Sequence, residues 1–347
     1  MTPTAAYAAP AVHAPLEPTT IERRAVRGTD VRIEIHYAGI CHTDLIQTAD
    51  GWGKGIYPMV PGHEIAGVVV ETGPEVTRYA VGDRVGVGTY VDSCRTCDQC
   101  RQGEEVYCAQ VNPTYNALGR DGSPNHGGFS QEIVVDERYV ARIPDSLPLD
   151  AAAPLMCAGV TTYSPLAHWK AGPGVKVAVL GMGGLGHIAV QIAHAMGAEV
   201  TVLSRTLNKK DDGIALGADH YYATEDPAVF EQLAGRFDLI LCTVSDALDF
   251  SAYLGLLAKD GTLVNVGAPA DDITMNNWAL IPARRSYAAS SAGGMKDTQD
   301  MLDFCAAHQV AARIEKIEMK DVNDAFDRLH HSQVRYRFVI DMTKFNG

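Results

Sequence analysis

The segment that most constrains this chain is Val177–Gly186, V-A-V-L-G-M-G-G-L-G, an apolar strand that turns on glycine into an Ala-rich helix. Gly181 suits the tight turn, Gly183 leaves room for backbone to approach a pyrophosphate, and Gly186 lets the helix pack closely on a sheet. Gly184 and Leu185 complete the loop. Such a glycine motif is weak by itself, but strands surround it here. Val175–Leu180 precedes it, Glu199–Leu203 follows, and Phe237–Cys242 and Thr262–Val266 come later, with helical sequence between. Strands alternating with helices predict a doubly wound parallel sheet, and the loop in that setting predicts a bound dinucleotide.

The end of the second strand discriminates between dinucleotides, because an NAD site usually carries an acid there for the ribose 2′-hydroxyl. Here Ser204, Arg205 and Thr206 are followed by Lys209 and Lys210, with no carboxylate among them. Hydroxyls and cations suit a 2′-phosphate, so NADP(H) is the expected cofactor, held at Ser204, Arg205, Lys209 and Lys210. Val266, at the end of a later strand, is a further candidate for cofactor contact.

The N-terminal half reads differently. Residues 1–20 are rich in Ala, Pro and Thr and predict a loose arm. From Val31 onward, Val31, Ile33, Ile35 and Tyr37 alternate with polar residues as in a half-buried strand. Short strands at Ala66–Glu71, Asp83–Val87 and Gln131–Val135 then predict a compact, barrel-like β domain. Helical sequence begins near Leu149, and a helix at Asp297–His308 and a strand at Arg337–Met342 close the chain.

Within the β half, Cys94, Cys97, Cys100 and Cys108 read C-x2-C-x2-C-x7-C, half of the chain's 8 cysteines. Four thiolates so spaced suit a structural zinc, which takes four sulfurs and no water. Disulfides need an oxidising compartment, and the N-terminus shows no basic and apolar signal pattern, so a cytoplasmic location is expected. An iron–sulfur cluster would use the same thiolates. Cys41, His63 and Cys157 offer a second set, two thiolates and an imidazole, which leaves a fourth position open as in a catalytic zinc site. Cys242 and Cys305 read as small buried apolar residues. With a net charge of −13 and no Lys/Arg-rich run, a nucleic-acid footprint is not expected. No apolar run approaches the roughly 20 residues of a membrane span.

Taken together, GICHTD (39–44), YPMVPGHEIAG (57–67), VGDRVGVG (81–88), SCRTCDQC (93–100), LPLDAAAPLMCAGVTTYSPL (147–166), GMGGLGH (181–187) and GGMKDTQDMLDFC (293–305) resemble the zinc-dependent medium-chain alcohol dehydrogenases. Within them the chain is most similar to the cinnamyl-alcohol-dehydrogenase-like branch of NADP-dependent aldehyde reductases. The resemblance implies a GroES-like β-barrel catalytic domain over 1–157 and 294–347, with a zinc lobe at 93–108, and a Rossmann domain over 158–293. It implies catalytic zinc on Cys41, His63 and Cys157, with Glu64 able to approach the metal. Asp44 would orient the imidazole, and Thr43 would hydrogen-bond the substrate oxygen. His42, Thr161 and Arg337 would contact the cofactor. Two zincs, a small aldehyde or alcohol as substrate and a homodimer formed near Ser286–Ala289 complete what it implies. A polyol or secondary-alcohol dehydrogenase, or a non-catalytic dinucleotide module, are the alternatives. Two positions depart from the branch: Ile46 stands where a proton-relay histidine is common, and Pro113 where plant members carry tryptophan. Trp52 and Leu118 are left as either pocket-lining or core residues.

Overall fold

The computed structural model describes residues 1–269 and 272–345; residues 270–271 and 346–347 of the expected domain ranges lie outside the described residues. The chain divides into two compact units, Met1–Val160 with Gly293–Gly347, and Thr161–Ala292.

The first unit opens with a hairpin, β1 (Thr2–Ala8) paired antiparallel to β2 (Glu17–Arg23). The Ala/Pro/Thr-rich arm is therefore ordered, a correction to the sequence expectation. Its small residues are what lets it lie flat: Ala6, Ala8 and Ala9 are buried, and the main chain bonds outward, Tyr7 N–H to Phe129 O and Ala9 N–H to Met59 O. Next come β3 (Asp30–Gly39), α1 (His42–Thr48), β4 (Ile65–Thr72), β5 (Arg84–Val87) and β6 (Tyr90–Asp92). The zinc-lobe helix α2 (Asp98–Gln102), β7 (Asn112–Pro113), β8 (Glu132–Asp136), β9 (Ala141–Arg142), α3 (Leu149–Ala152) and α4 (Ala158–His168) follow. Ten-residue β3 organises the sheet. It pairs with β4 on one side, while on the other β8 takes residues 30–34 and the chain's final strand takes residues 37–39. Its alternation holds: Val31, Ile33 and Ile35 are buried, and Arg32 points to the other face, ion-paired to Glu71 and Glu132.

The second unit carries β10 (Lys176–Leu180), α5 (Gly186–Ala195), β11 (Glu199–Ser204), α6 (Lys210–Ala215), β12 (His220–Ala223), α7 (Ala228–Gln232), β13 (Phe237–Cys242), α8 (Phe250–Gly255), β14 (Leu257–Asn265) and β15 (Ser286–Ala289). These form a six-stranded parallel sheet ordered β12-β11-β10-β13-β14-β15. Counted within the unit this is 3-2-1-4-5-6, the Rossmann order, whose direction reverses between β10 and β13. Strands covered on both faces need apolar residues throughout, and Val177–Leu180 and Leu239–Cys242 are buried without a break. The chain then returns to the first unit with α9 (Met295–His308), β16 (Ile314–Ile317), α10 (Val322–His330) and β17 (Arg337–Asp341), and β17 is the strand that joins β3. Among the described residues no helix is long and apolar enough to cross a membrane.

Candidate metal centre and cofactor loop

The first metal candidate sits where α1 begins. Asp44, at the third position of that short helix, accepts the Cys41 N–H on Oδ2 at 2.8 Å, half of a capping box that fixes the helix start. Its other oxygen, Oδ1, accepts the Gly62 N–H at 3.0 Å. One buried carboxylate thus grips the main chain beside two prospective ligands 22 residues apart in sequence, Cys41 and His63. Gly62 is obligatory there: its φ of +101° lies in the left-handed region, and a Cβ would come 2.7 Å from the Phe129 ring. Asp44 was expected to orient the imidazole; the bonds it makes are to main chain, and its charge acts on His63 through space.

Cys41, His63, Glu64 and Cys157 are all buried, and one ligand atom from each lies within 4.8 Å of the others. The sulfurs of Cys41 and Cys157 stand 3.9 Å apart. Four ligands roughly 2.3 Å from a common zinc would place sulfurs about 3.8 Å apart, so the spacing fits the ion. Among the described residues His63 Nε2 is buried with no hydrogen-bond partner, an orphaned ligand atom that a metal would satisfy. The electrostatics agree. A hydrogen bond from Cys157 holds the Cys41 thiol well below its usual range against the opposing effect of burial. Burial works against a charged His63, yet the Cys41 thiolate beside it brings the imidazole up to about 9. The Cys41 thiolate and the carboxylates around His63 thus give the pocket a negative potential that favours a cation. Glu64 is also paired: its Oε1 accepts from Arg337 Nη2, both side chains are buried, and Glu64 Oε2 has no partner among the described residues. Thr43 Oγ1 lies 3.5 Å from Cys41 Sγ, which places a hydroxyl at the edge of the cluster. His42 is exposed, and Ile46 is half-buried with its Cγ2 against Gly51.

The four-cysteine lobe closes on itself as its spacing predicts. Its ligand atoms lie within 4.8 Å of one another, with Sγ–Sγ distances of 3.4 Å for Cys97–Cys100 and 3.8 Å for Cys94–Cys100. Main-chain N–H groups of Thr96 and Cys97 donate to Cys94 Sγ and draw that thiol down to about 6. Cys108 Sγ accepts from the N–H groups of Cys94 and Gln110. Such N–H···S bonds favour thiolates, the form in which cysteine ligates zinc. Cys242 and Cys305 stand apart, buried in strand and helix, where burial pushes their thiols up to about 11 and 12.

In the second unit the glycine loop follows β10, at the reversal of strand order. Gly181 has φ +97°, and a Cβ on Gly186 would collide with the Gly181 carbonyl oxygen. A Cβ on Gly183 would meet nothing within 4 Å, so the backbone there is open to a ligand. Lys209 reaches back over the loop, donating from Nζ to Met182 O at 3.0 Å. Ser204 ends β11 half-buried, while Arg205 and Lys210 are exposed and form no ion pair among the described residues. Val266 follows β14, and Thr161 is buried in α4. Trp52 and Leu118 are 49% and 54% exposed, which removes the core reading for both. Sequence reasoning passed over Tyr115, whose ring stacks on His63. Nothing within its own stretch of sequence marks it.

Comparison with known proteins agrees with this geometry. Residues 27–145 match the family described as alcohol dehydrogenase GroES-like domain, and residues 184–307 that described as zinc-binding dehydrogenase. The chain is 60% identical, over 98% of both proteins, to NADP-dependent alcohol dehydrogenase C 1 of Mycolicibacterium smegmatis. Among solved structures it resembles a cinnamyl alcohol dehydrogenase from Sorghum bicolor, with TM-score 0.97 and 42% identity over 99% of each chain. It also resembles CAD from Helicobacter pylori complexed with NADP(H), with TM-score 0.93 and 41% identity over 99% of each chain. The chain belongs to the zinc-dependent medium-chain alcohol dehydrogenases, in their cinnamyl-alcohol-dehydrogenase-like branch.

Proposed function

We propose that this protein is an NADP(H)-linked zinc oxidoreductase that reduces aldehydes to primary alcohols and runs the reverse reaction. The observation that carries the reading is the buried cluster of Cys41, His63, Glu64 and Cys157, with two sulfurs at zinc-like spacing and an orphaned imidazole nitrogen. Cys41, His63 and Cys157 would hold a zinc, which would act as a Lewis acid toward the substrate oxygen, and bound NADPH would be the hydride source. Thr43 Oγ1, beside Cys41, hydrogen-bonds that oxygen and hands it a proton in the direction of reduction. Ile46 offers no acceptor, and Thr48 Oγ1 donates to Asp44 O at 2.8 Å, so the proton reaching Thr43 comes from solvent. Glu64 lies against the cluster, with Arg337 as its counter-charge. The four-cysteine lobe takes the second zinc, with a structural role.

Ser204, Arg205, Lys209 and Lys210 hold the 2′-phosphate of NADP(H); the exposed cations Arg205 and Lys210, without an ion pair among the described residues, and the lack of an acid over 204–210 support this. Gly181, Gly183, Gly184, Leu185, Gly186, Thr161 and Val266 line the rest of the cofactor site, with His42 and Arg337 as further cofactor-binding residues. Strand β15 pairs on one side only among the described residues, which supports a homodimer joined along its free edge. Eight unbridged cysteines suit a reducing cytoplasm. An NADPH-oxidation screen over aliphatic, aromatic and α,β-unsaturated aldehydes tests the reading, with zinc measured on the same sample. Turnover of none of them by a protein carrying two zincs per chain rejects it.

A further inference from the structure

The tripeptide Thr114–Asn116 is pinned at both ends. Thr114 N–H donates to Thr89 O at 3.1 Å and Thr114 Oγ1 to Gly88 O at 2.5 Å. Asn116 accepts the Ile56 N–H on Oδ1 at 2.8 Å and donates from Nδ2 to Gln47 Oε1 on α1, with its own backbone at φ +54°. Asn116 is thereby tied both to the helix that carries Thr43 and Asp44 and to the segment that leads to His63. Between the pins, Tyr115 is only 4% exposed. Its ring lies on the His63 imidazole, with centroids 5.8 Å apart and planes inclined by 23°. Its hydroxyl faces the Asp44 carboxylate, short of a closed hydrogen bond.

A ligating imidazole offers its lone pair in the ring plane, so the direction of the metal bond is set by whatever fixes that plane. The usual device is a hydrogen bond from the second ring nitrogen to a carboxylate or carbonyl. Asp44 spends its hydrogen bonds on the main chain of Cys41 and Gly62. A flat ring packed against one face restricts the same rotation without using any donor or acceptor.

We propose that Tyr115 is a positioning residue of the metal centre: stacked on His63 and pinned through Thr114 and Asn116, it holds the imidazole in the plane from which it ligates the ion. The inference rests on the zinc reading of the Cys41–His63–Cys157 cluster. If Tyr115 were packing alone, its loss would lower stability without changing how the metal is held.

The test uses the zinc-loaded, full-length protein, Tyr115→Phe, which keeps the ring, and Tyr115→Met, which fills space without one. Zinc per chain in the unmodified protein is measured first; a single zinc, confined to the four-cysteine lobe, defeats the parent reading whatever Tyr115 does. Zinc transfer to a chromogenic chelator is then followed in time. For Tyr115→Met, release from the open site should accelerate roughly 10- to 100-fold, the range for losing a partner that orients a metal ligand. The four-cysteine phase should stay at its unmodified rate, and Tyr115→Phe should lie near the unmodified protein in both phases. In cobalt-substituted protein the visible absorption should shift for Tyr115→Met and hold for Tyr115→Phe. Unmodified release and spectrum in a folded Tyr115→Met overturn the proposal. So does acceleration as large in Tyr115→Phe as in Tyr115→Met. If Tyr115→Met does not fold, the same release measurement on Tyr115→Thr decides in its place: acceleration supports the ring contact, and an unmodified rate overturns it.

Discussion

Arg337, the first residue of the last strand, donates to the carboxylate of Glu64, 273 positions earlier, and the two side chains are 4% and 0% exposed. Burial raises the Glu64 carboxyl to about 8 even with the Arg337 charge opposing the rise, while Glu64 helps Arg337 keep its own charge out of water. Removing Arg337 leaves the carboxyl buried without its counter-charge and donor. Arg337→Met should lower stability by about 3–5 kcal/mol, measured by denaturant unfolding of the zinc-loaded protein. Adding Glu64→Gln should recover much of the loss, and a double variant as unstable as the single one would exclude the charge explanation.

The two cysteine sets should respond differently to the same chemistry. Cys100→Ser should prevent stable folding, because a structural zinc carries on the order of 10 kcal/mol of apparent folding free energy. Cys157→Ser should leave a folded protein that binds NADPH and has lost turnover. Zinc content, circular dichroism and NADPH fluorescence separate the cases; identical behaviour would show that the roles are not divided.

Cofactor preference should follow Ser204. The unmodified enzyme should favour NADPH over NADH in kcat/KM. Ser204→Asp should repel the 2′-phosphate and accept from a ribose hydroxyl, moving the preference toward NADH by roughly tenfold or more, since a hydrogen bond to a charged group contributes roughly 1.5–3 kcal/mol. Equal kcat/KM for the two cofactors in the unmodified enzyme would refute the assignment.

Thr43→Val keeps the shape beside Cys41 and removes the hydroxyl, so kcat should fall roughly 10²-fold or more, the range for losing a proton-transfer group. Ile46→His introduces a titrating acceptor with an unperturbed pKa of about 6.5. It should raise the alcohol-oxidation rate on the alkaline side of that value. Steady-state pH profiles of both variants provide the measurement, and an unchanged kcat in Thr43→Val would send the proton by another route.

His126 should make the fold sensitive to mild acid. Burial, with the Arg23 charge adding to it, lowers this imidazole to about 4 from an ordinary value near 6.5. The folded state therefore resists a proton that the unfolded chain accepts. Its contribution is fully present above about pH 6.5 and is lost as pH falls toward 4. The stability difference between the unmodified protein and His126→Gln should be flat above pH 7 and narrow on acidification. A difference independent of pH would mean that His126 titrates alike in both states.

Short-range patterns were legible in the sequence because they depend on neighbours along the chain. Gly181, Gly183 and Gly186 declare a turn whose steric needs lie within six residues, and Cys94, Cys97, Cys100 and Cys108 close around one point within fifteen. Val31, Ile33 and Ile35 announce a half-buried strand through a period of two. The N-terminal arm misled for the converse reason. Alanine has weak strand propensity, and β1 is ordered by its pairing with β2 and its bonds to Phe129 and Met59, partners the local pattern does not contain.

The composition of the metal cluster was open to sequence reasoning as a set of residue types and became specific through resemblance, since Cys41, His63 and Cys157 share no local pattern. Its geometry was decided by tertiary structure alone. Asp44 ties Cys41 to Gly62, β17 brings Arg337 beside β3 and onto Glu64, and the pinned Thr114–Asn116 lays Tyr115 on His63. Each of these contacts joins segments far apart in sequence. Which polar atom finds a partner, and which is left for a metal, is settled only when the sheet and its loops have closed around them.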